Sequence, residues 1–232
     1  MRKGKRKMYQ KEKEEVIKAG MKLDRYGLIA LSGGNVSCRV DEDRVLVTPS
    51  GMIYEDLVAD DIILADLSGK VIEGNRKASV DTKALLYIYN NMPEVKAVIH
   101  THQPYATALG LVQDEFKCNL TTLANATKGS VNVCPFSSAA SEQMGIEAVE
   151  NLKGKLAVIL KHHGVIAVGS SLKEALYSCI YLEEAAQTYC IARSMSSNVA
   201  MMTDAQIEQA VKVFDYYGQG TENVPDSLVN KR

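Results

Sequence analysis

A chain of 232 residues, 46% hydrophobic and 24% charged, is long enough for one sizeable domain with its own core. A net charge of −1 supplies no global field to recruit nucleic acid, and with a mean hydropathy of −0.11 no apolar run approaches the ~18 residues that a membrane-spanning helix requires. The basic opening has no apolar stretch behind it, so it reads as a solvated lead-in frayed over residues 1–11 rather than a secretory leader, and neither nucleic acid nor a membrane is expected as a partner.

In chain order, Val16, Ala19, Gly20, Leu23 and Tyr26 recur at helical spacing and predict a helix from Glu12 to Tyr26. Ile29 to Val40 holds a Ser-Gly-Gly-Asn turn and then a strand. Arg44 to Thr48 is a second strand, stopped by Pro49, Ser50 and Gly51. Ile62 to Asp66, the turn Ser68-Gly69-Lys70, and Val71-Ile72 form a hairpin. Ala84, Leu85, Ile88 and Tyr89 mark a helix from Asp81 to Asn91, with Pro93 just beyond it. A strand follows from Val95 to His102. Glu142 to Leu152 is helical, Lys155 to Lys161 and Gly164 to Gly169 are strands, and Leu172 to Met195 and Ala205 to Tyr216 are helices. There is no repeat, low-complexity tract or Pro/Ser-rich linker, so residues 1–232 read as one domain. Hairpin-short connections favour a mixed or antiparallel sheet covered by helices over a doubly wound parallel one.

The five cysteines are odd in number and widely spaced, with no C-x-x-C. They read as small buried hydrophobes in a reducing cytoplasm, where the protein is expected. Glu183 and Glu184, on the long helix, read as a solvated edge, with a subunit contact as the rival reading.

All four histidines fall in two segments, Val98-Ile99-His100-Thr101-His102 and Lys161-His162-His163-Gly164. The apolar lead-in marks each as a strand end. Residues two apart on a strand share a face, so His100 and His102 can reach one metal together. His162 and His163 point opposite ways, so one of them joins. Three protein ligands leave an open coordination position, as a catalytic zinc needs. Two unrelated pairs of structural histidines are the competing reading, and the clustering of every histidine argues against it. Gln103 to Thr107 supplies neither the Asp-His of a metallo-hydrolase nor the Glu of a cupin. Ser32-Gly33-Gly34-Asn35 and Thr48-Pro49-Ser50-Gly51 are glycine-bearing turns whose backbone N–H groups can wrap an anion, although any turn contains such residues.

Ser32-Gly33-Gly34-Asn35-Val36-Ser37, Thr48-Pro49-Ser50-Gly51, Ser79-Val80-Asp81-Thr82, His100-Thr101-His102 and His163-Gly164 follow the order and spacing of the class II aldolase/adducin-like family. The chain resembles that family from about residue 12 to Gln219. The resemblance implies an α/β fold, a three-layer α/β/α arrangement around a mostly antiparallel sheet. It also implies a homotetramer with active sites at subunit boundaries. Zinc is then held by His100, His102 and His163, with manganese or cobalt as alternatives. The acid beside it is Asp81. The phosphate of a phosphorylated ketose is held by Ser32 to Asn35, Ser50-Gly51 and Ser79. Tyr217, in a Tyr-Gly-Gln tail, acts as acid/base in a neighbouring subunit's site.

The sequence departs from the family's pattern at four places. Ala78-Ser79-Val80 replaces Pro-Ser-Ser, and Thr48 replaces a lysine. Asn125 stands where the epimerases carry a second acid, and Thr121 or Thr122 where the aldolases carry a tyrosine. The implied reaction is zinc-dependent cleavage and re-formation of a carbon–carbon bond through a metal-stabilised enediolate. Asp81-Thr82 and Tyr-Gly-Gln favour an L-ribulose-5-phosphate 4-epimerase-like member narrowly over an L-fuculose-1-phosphate-type aldolase. A dehydratase on a related sugar phosphate is a third possibility. A non-catalytic adducin-like domain is the alternative of another class, and it has no reason to keep the histidines.

Overall fold

The structure, a computed structural model, describes residues 8–213. Helix α1 (Gln10–Arg25) leads into strands β1 (Asn35–Arg39), β2 (Arg44–Val47), β3 (Ile63–Asp66) and β4 (Val71–Glu73). Helix α2 (Thr82–Asn91) precedes β5 (Ala97–Thr101), and α3 (Pro104–Val112), β6 (Glu115–Phe116), α4 (Thr121–Thr127) and β7 (Val131–Cys134) follow. Then come α5 (Glu142–Leu152), β8 (Ala157–Leu160), β9 (Gly164–Gly169), α6 (Leu172–Met195) and α7 (Asp204–Val213). The strands form one nine-stranded sheet in the order β4-β3-β2-β1-β5-β9-β8-β7-β6, antiparallel throughout except for the β7–β8 pair. The α/β class expected from the sequence is the one observed.

The central strands read as unbroken apolar runs because helices cover both faces of the sheet. Every residue of β5, β8 and β9 is buried. On one face α2 and α5 pack on Val45, Val98, Val158 and Ile166. On the other, α1, α3, α4, α6 and α7 cover Val36, Ile99, Ile159 and Val165. Gly20 lets α1 close on this layer, since a Cβ there would stand 1.9 Å from the Tyr54 ring.

Two expectations change. The lead-in does not fray as far as residue 11: α1 begins at Gln10, Met8 and Tyr9 pack against the core, and the Tyr9 hydroxyl donates to Asp41 at 2.6 Å. Glu183 is not a solvated edge. It is 8% exposed and faces the start of α3, while Glu184 is exposed. All five cysteines are free, and burial pushes the Cys38 and Cys134 thiols up to about 12, which removes them as nucleophiles at neutral pH.

Candidate metal centre

The histidines meet because β5 and β9 are neighbours in the sheet. His100 lies in β5, opposite Ile166 of β9 and Asn35 of β1. His102 follows the strand's last residue, and its N–H donates to the Leu28 carbonyl at 3.1 Å. His163 stands in the three-residue turn between β8 and β9. His162 takes a left-handed φ of 61° there, so the chain reverses with His163 toward β5 and His162 exposed. The His163 and His100 rings stand 4.6 Å apart, while His162 instead meets the Phe136 ring at 6.2 Å.

The glycines around this group have a packing reason. A Cβ on Gly164 would lie 2.1 Å from the Thr101 carbonyl oxygen, and one on Gly34 would lie 2.4 Å from that of His100. Gly33 passes so close that its Cβ would sit 3.1 Å from His102 Nδ1.

One ligand nitrogen from each of His100, His102 and His163 lies within 4.8 Å of the other two. His100 Nε2 and His102 Nε2 are 3.0 Å apart, near the ~3.3 Å that two nitrogens on one tetrahedral zinc subtend. His100 Nδ1 donates to the Val165 carbonyl at 2.9 Å. A carbonyl only accepts, so the proton sits on Nδ1 and the Nε2 lone pair is left for a metal. Burial lowers the His100 pKa against an upward pull from Asp81, and the neighbouring imidazoles add to the lowering. Burial likewise lowers His102 and His163. All three rings are therefore neutral near neutral pH, the form that binds metal. The donor set fits a divalent ion.

Asp81 is 6% exposed and is the residue preceding α2. Its Oδ2 accepts from Asn35 Nδ2 at 2.8 Å, and its Oδ1 accepts from the Ala140 N–H at 3.0 Å. Its charge acts on all three rings, yet it is not one of the clustered ligand groups. Ala140 comes just before α5, so the N-termini of α2 and α5 converge here, which favours negative charge.

The residues expected to hold phosphate gather on the same side. Pro49 pairs antiparallel with Ala78, which sets Thr48 opposite Ser79 and Ser50 opposite Lys77, and Asn35 joins the Ser32–Asn35 turn to Asp81. Several backbone donors there are already used. Gly33 donates to Ala30, Ser50 to Lys77 and Ser79 to Thr48. Thr48 is buried, and its Oγ1 accepts the Val36 N–H. Thr121, Thr122 and Asn125 lie on α4, which packs on α6 and α7 on the sheet face opposite α2, so one chain does not bring them to Asp81. Tyr217 and the Tyr-Gly-Gln tail lie outside the described residues.

Sequence reasoning missed the Ala140 N–H and the Val165 carbonyl. Both act through backbone atoms, which carry no residue signature. It also missed the buried Glu183 and Gln103 behind His102.

Residues 14–190 match the family described as Class II Aldolase and Adducin N-terminal domain. A 5-deoxy-D-ribulose 1-phosphate aldolase of Bacillus thuringiensis serovar kurstaki is 31% identical over 213 residues, 91% of this chain and 99% of that one. An L-fuculose 1-phosphate aldolase structure superposes with a TM-score of 0.83 at 27% identity, covering 88% of this chain and 96% of the other. The L-fuculose-1-phosphate aldolase of Thermus thermophilus does so at 0.71 and 27%, covering 82% and 97%.

Proposed function

Because the chain belongs to the class II aldolase and adducin N-terminal domain family, we propose that it is a metal-dependent aldolase cleaving a ketose 1-phosphate. The observation that carries the reading is the cluster of three neutral imidazoles at the ends of adjacent strands, with Asp81 fixed beside it. The narrow lean toward a 4-epimerase gives way because the Bacillus relative and the superposed structures are named as aldolases of ketose 1-phosphates. Asp81-Thr82 and the Tyr-Gly-Gln tail keep the epimerase as the second reading.

His100, His102 and His163 would hold the metal through one nitrogen each, and zinc suits that donor set, with manganese or cobalt as substitutes. A metal bound there would supply Lewis-acid polarisation of the ketose carbonyl. The side of the site where α2 and α5 begin takes the phosphate, with Ser32, Ser50 and Ser79 offering hydroxyls and Gly33, Gly34 and Gly51 leaving room for close approach. Cleavage removes the proton of the C4 hydroxyl and breaks the C3–C4 bond. The bonding pair passes to the three-carbon fragment, and a proton returns at C3.

Asp81 is assigned that C3 proton. Asn35 and Ala140 occupy one lone pair on each of its oxygens and hold the carboxylate still, as a positioned proton carrier requires. Tyr217 is assigned the C4 hydroxyl proton, in the site of a neighbouring subunit of a homotetramer. The products are dihydroxyacetone phosphate and an aldehyde, in the cytoplasm.

Phosphorus NMR of zinc-loaded protein with 5-deoxy-D-ribulose 1-phosphate, L-fuculose 1-phosphate and L-ribulose 5-phosphate tests this. Dihydroxyacetone phosphate accumulating from a ketose 1-phosphate is the expected result. Conversion of L-ribulose 5-phosphate into a second pentulose phosphate, with the 1-phosphates untouched, would establish the epimerase instead. The Asp81→Asn variant should keep its metal and lose turnover by about 100-fold or more.

A further inference from the structure

His100 is fixed twice, by its place within β5 and by the Val165 carbonyl, whereas His102 lies past the strand's last residue. What carries His102 is the segment leading into α3, and α6, which packs beside α3 in the same layer, holds that segment. Gln103, fully buried, accepts from Thr101 Oγ1 at 2.7 Å and donates to the Cys179 carbonyl of α6 at 3.2 Å.

Helix α3 then starts with Pro104 and has no side-chain cap of its own. Its second and third residues, Tyr105 and Ala106, donate their N–H groups at 2.8 and 2.9 Å to the two oxygens of Glu183, eleven residues into α6. An N-cap serine or aspartate usually satisfies these donors locally; here a carboxylate 77 positions away in sequence does so. Burial raises the Glu183 pKa, and the bonds from Ala106, Tyr105 and Gln103 pull it back. Keeping a carboxylate 8% exposed is costly, and the α3 N-terminus is what offsets the cost.

We propose that Glu183 is a positioning residue for His102: by capping α3 from the neighbouring α6, it sets where the chain leaves β5 and so where the His102 imidazole stands in the triad. The proposal rests on the metal reading above and adds to it a control point on a different helix. Glu183 touches no substrate; it acts through the α3 start, Gln103 and His102.

Cobalt titration of metal-free protein, followed by the visible absorption that reports ligand geometry, tests this. In Glu183→Gln one of the two acceptor oxygens becomes an NH2 donor set against a backbone N–H, and the charge is lost. Cobalt affinity should fall about tenfold, with altered band intensity and unchanged circular dichroism. Thr101→Val, which strips Gln103 of one partner, should shift affinity in the same direction by less, and it carries the test if Glu183→Gln folds poorly. Ser171→Ala removes a side-chain cap from α6, where Ser171 accepts the Glu174 N–H, and should leave affinity and spectrum as in the parent. Parental affinity and spectrum in both Glu183→Gln and Thr101→Val would overturn the proposal, as would an equal loss in Ser171→Ala. A parent protein with no cobalt bands at all would instead overturn the metal reading.

Discussion

Gly164→Ala is the sharpest probe of how the sheet builds the histidine cluster. The new methyl would stand 2.1 Å from the Thr101 carbonyl oxygen and 3.1 Å from His102 Cδ2. Ordinary contact begins at 3.4 Å, so the first distance is short by more than an ångström, and the obstacle is backbone in a fully buried strand that no rotamer change can move. Strand β9 must therefore draw away from β5 where Thr101 pairs with Val165 and His100 with Ile166. Overpacking of this kind costs about 2–3 kcal/mol. For a chain of this size that lowers Tm by about 5–10 °C. Because the displaced strand carries the Val165 carbonyl and His163 directly precedes it, metal affinity should fall with stability.

Gly154→Ala is the control. Its φ is +77° and nothing lies within 4 Å of its Cβ, so it suffers only the left-handed backbone penalty of about 1 kcal/mol, without loss of metal affinity. Differential scanning calorimetry with and without zinc reads both effects. Gly164→Ala melting with the parent, or no lower than Gly154→Ala, would refute the account of β5 and β9 closing on each other through this glycine.

Two further perturbations address the rest of the fold. The Arg76 guanidinium, followed by the Val58 N–H, holds the Asp61 carboxyl below the usual range, so its contribution is complete above the unfolded value of about 3.9 and fades as pH falls through the folded value. Asp61→Asn should lose about 1 kcal/mol at pH 7, and urea melts should show the gap to the parent closing below about pH 4; a pH-independent gap would contradict this. Lys13 is 1% exposed, and its ammonium pairs with the Glu73 carboxylate. Lys13→Met should lie within about 1 kcal/mol of the parent, whereas Glu73→Ala strands the buried ammonium and costs about 2 kcal/mol or more. The reverse ranking in urea melts would sink that reading.

What is legible in the sequence is what local chemistry decides. The buried stripes of α1, α2 and α6, the β3–β4 hairpin and the apolar runs of β5, β8 and β9 follow from residue period and turn residues. The histidine pair two apart on a strand follows in the same way. The stretch from Gln103 to Cys134 is legible only in three dimensions. Helix α3 has its cap supplied by Glu183 of α6, and β6 is two residues long and exists through its pairing with β7. Strand spacing left His162 and His163 open and only the resemblance pointed to His163; the structure shows how one left-handed residue in a turn turns His163 to the cluster and His162 to Phe136. Tertiary structure alone decided that Asp81 is held by Asn35 and Ala140, which are 46 and 59 positions away. A periodic pattern records which face a residue buries. It does not record which distant backbone or carboxylate will meet that face, and the candidate site is assembled from those meetings.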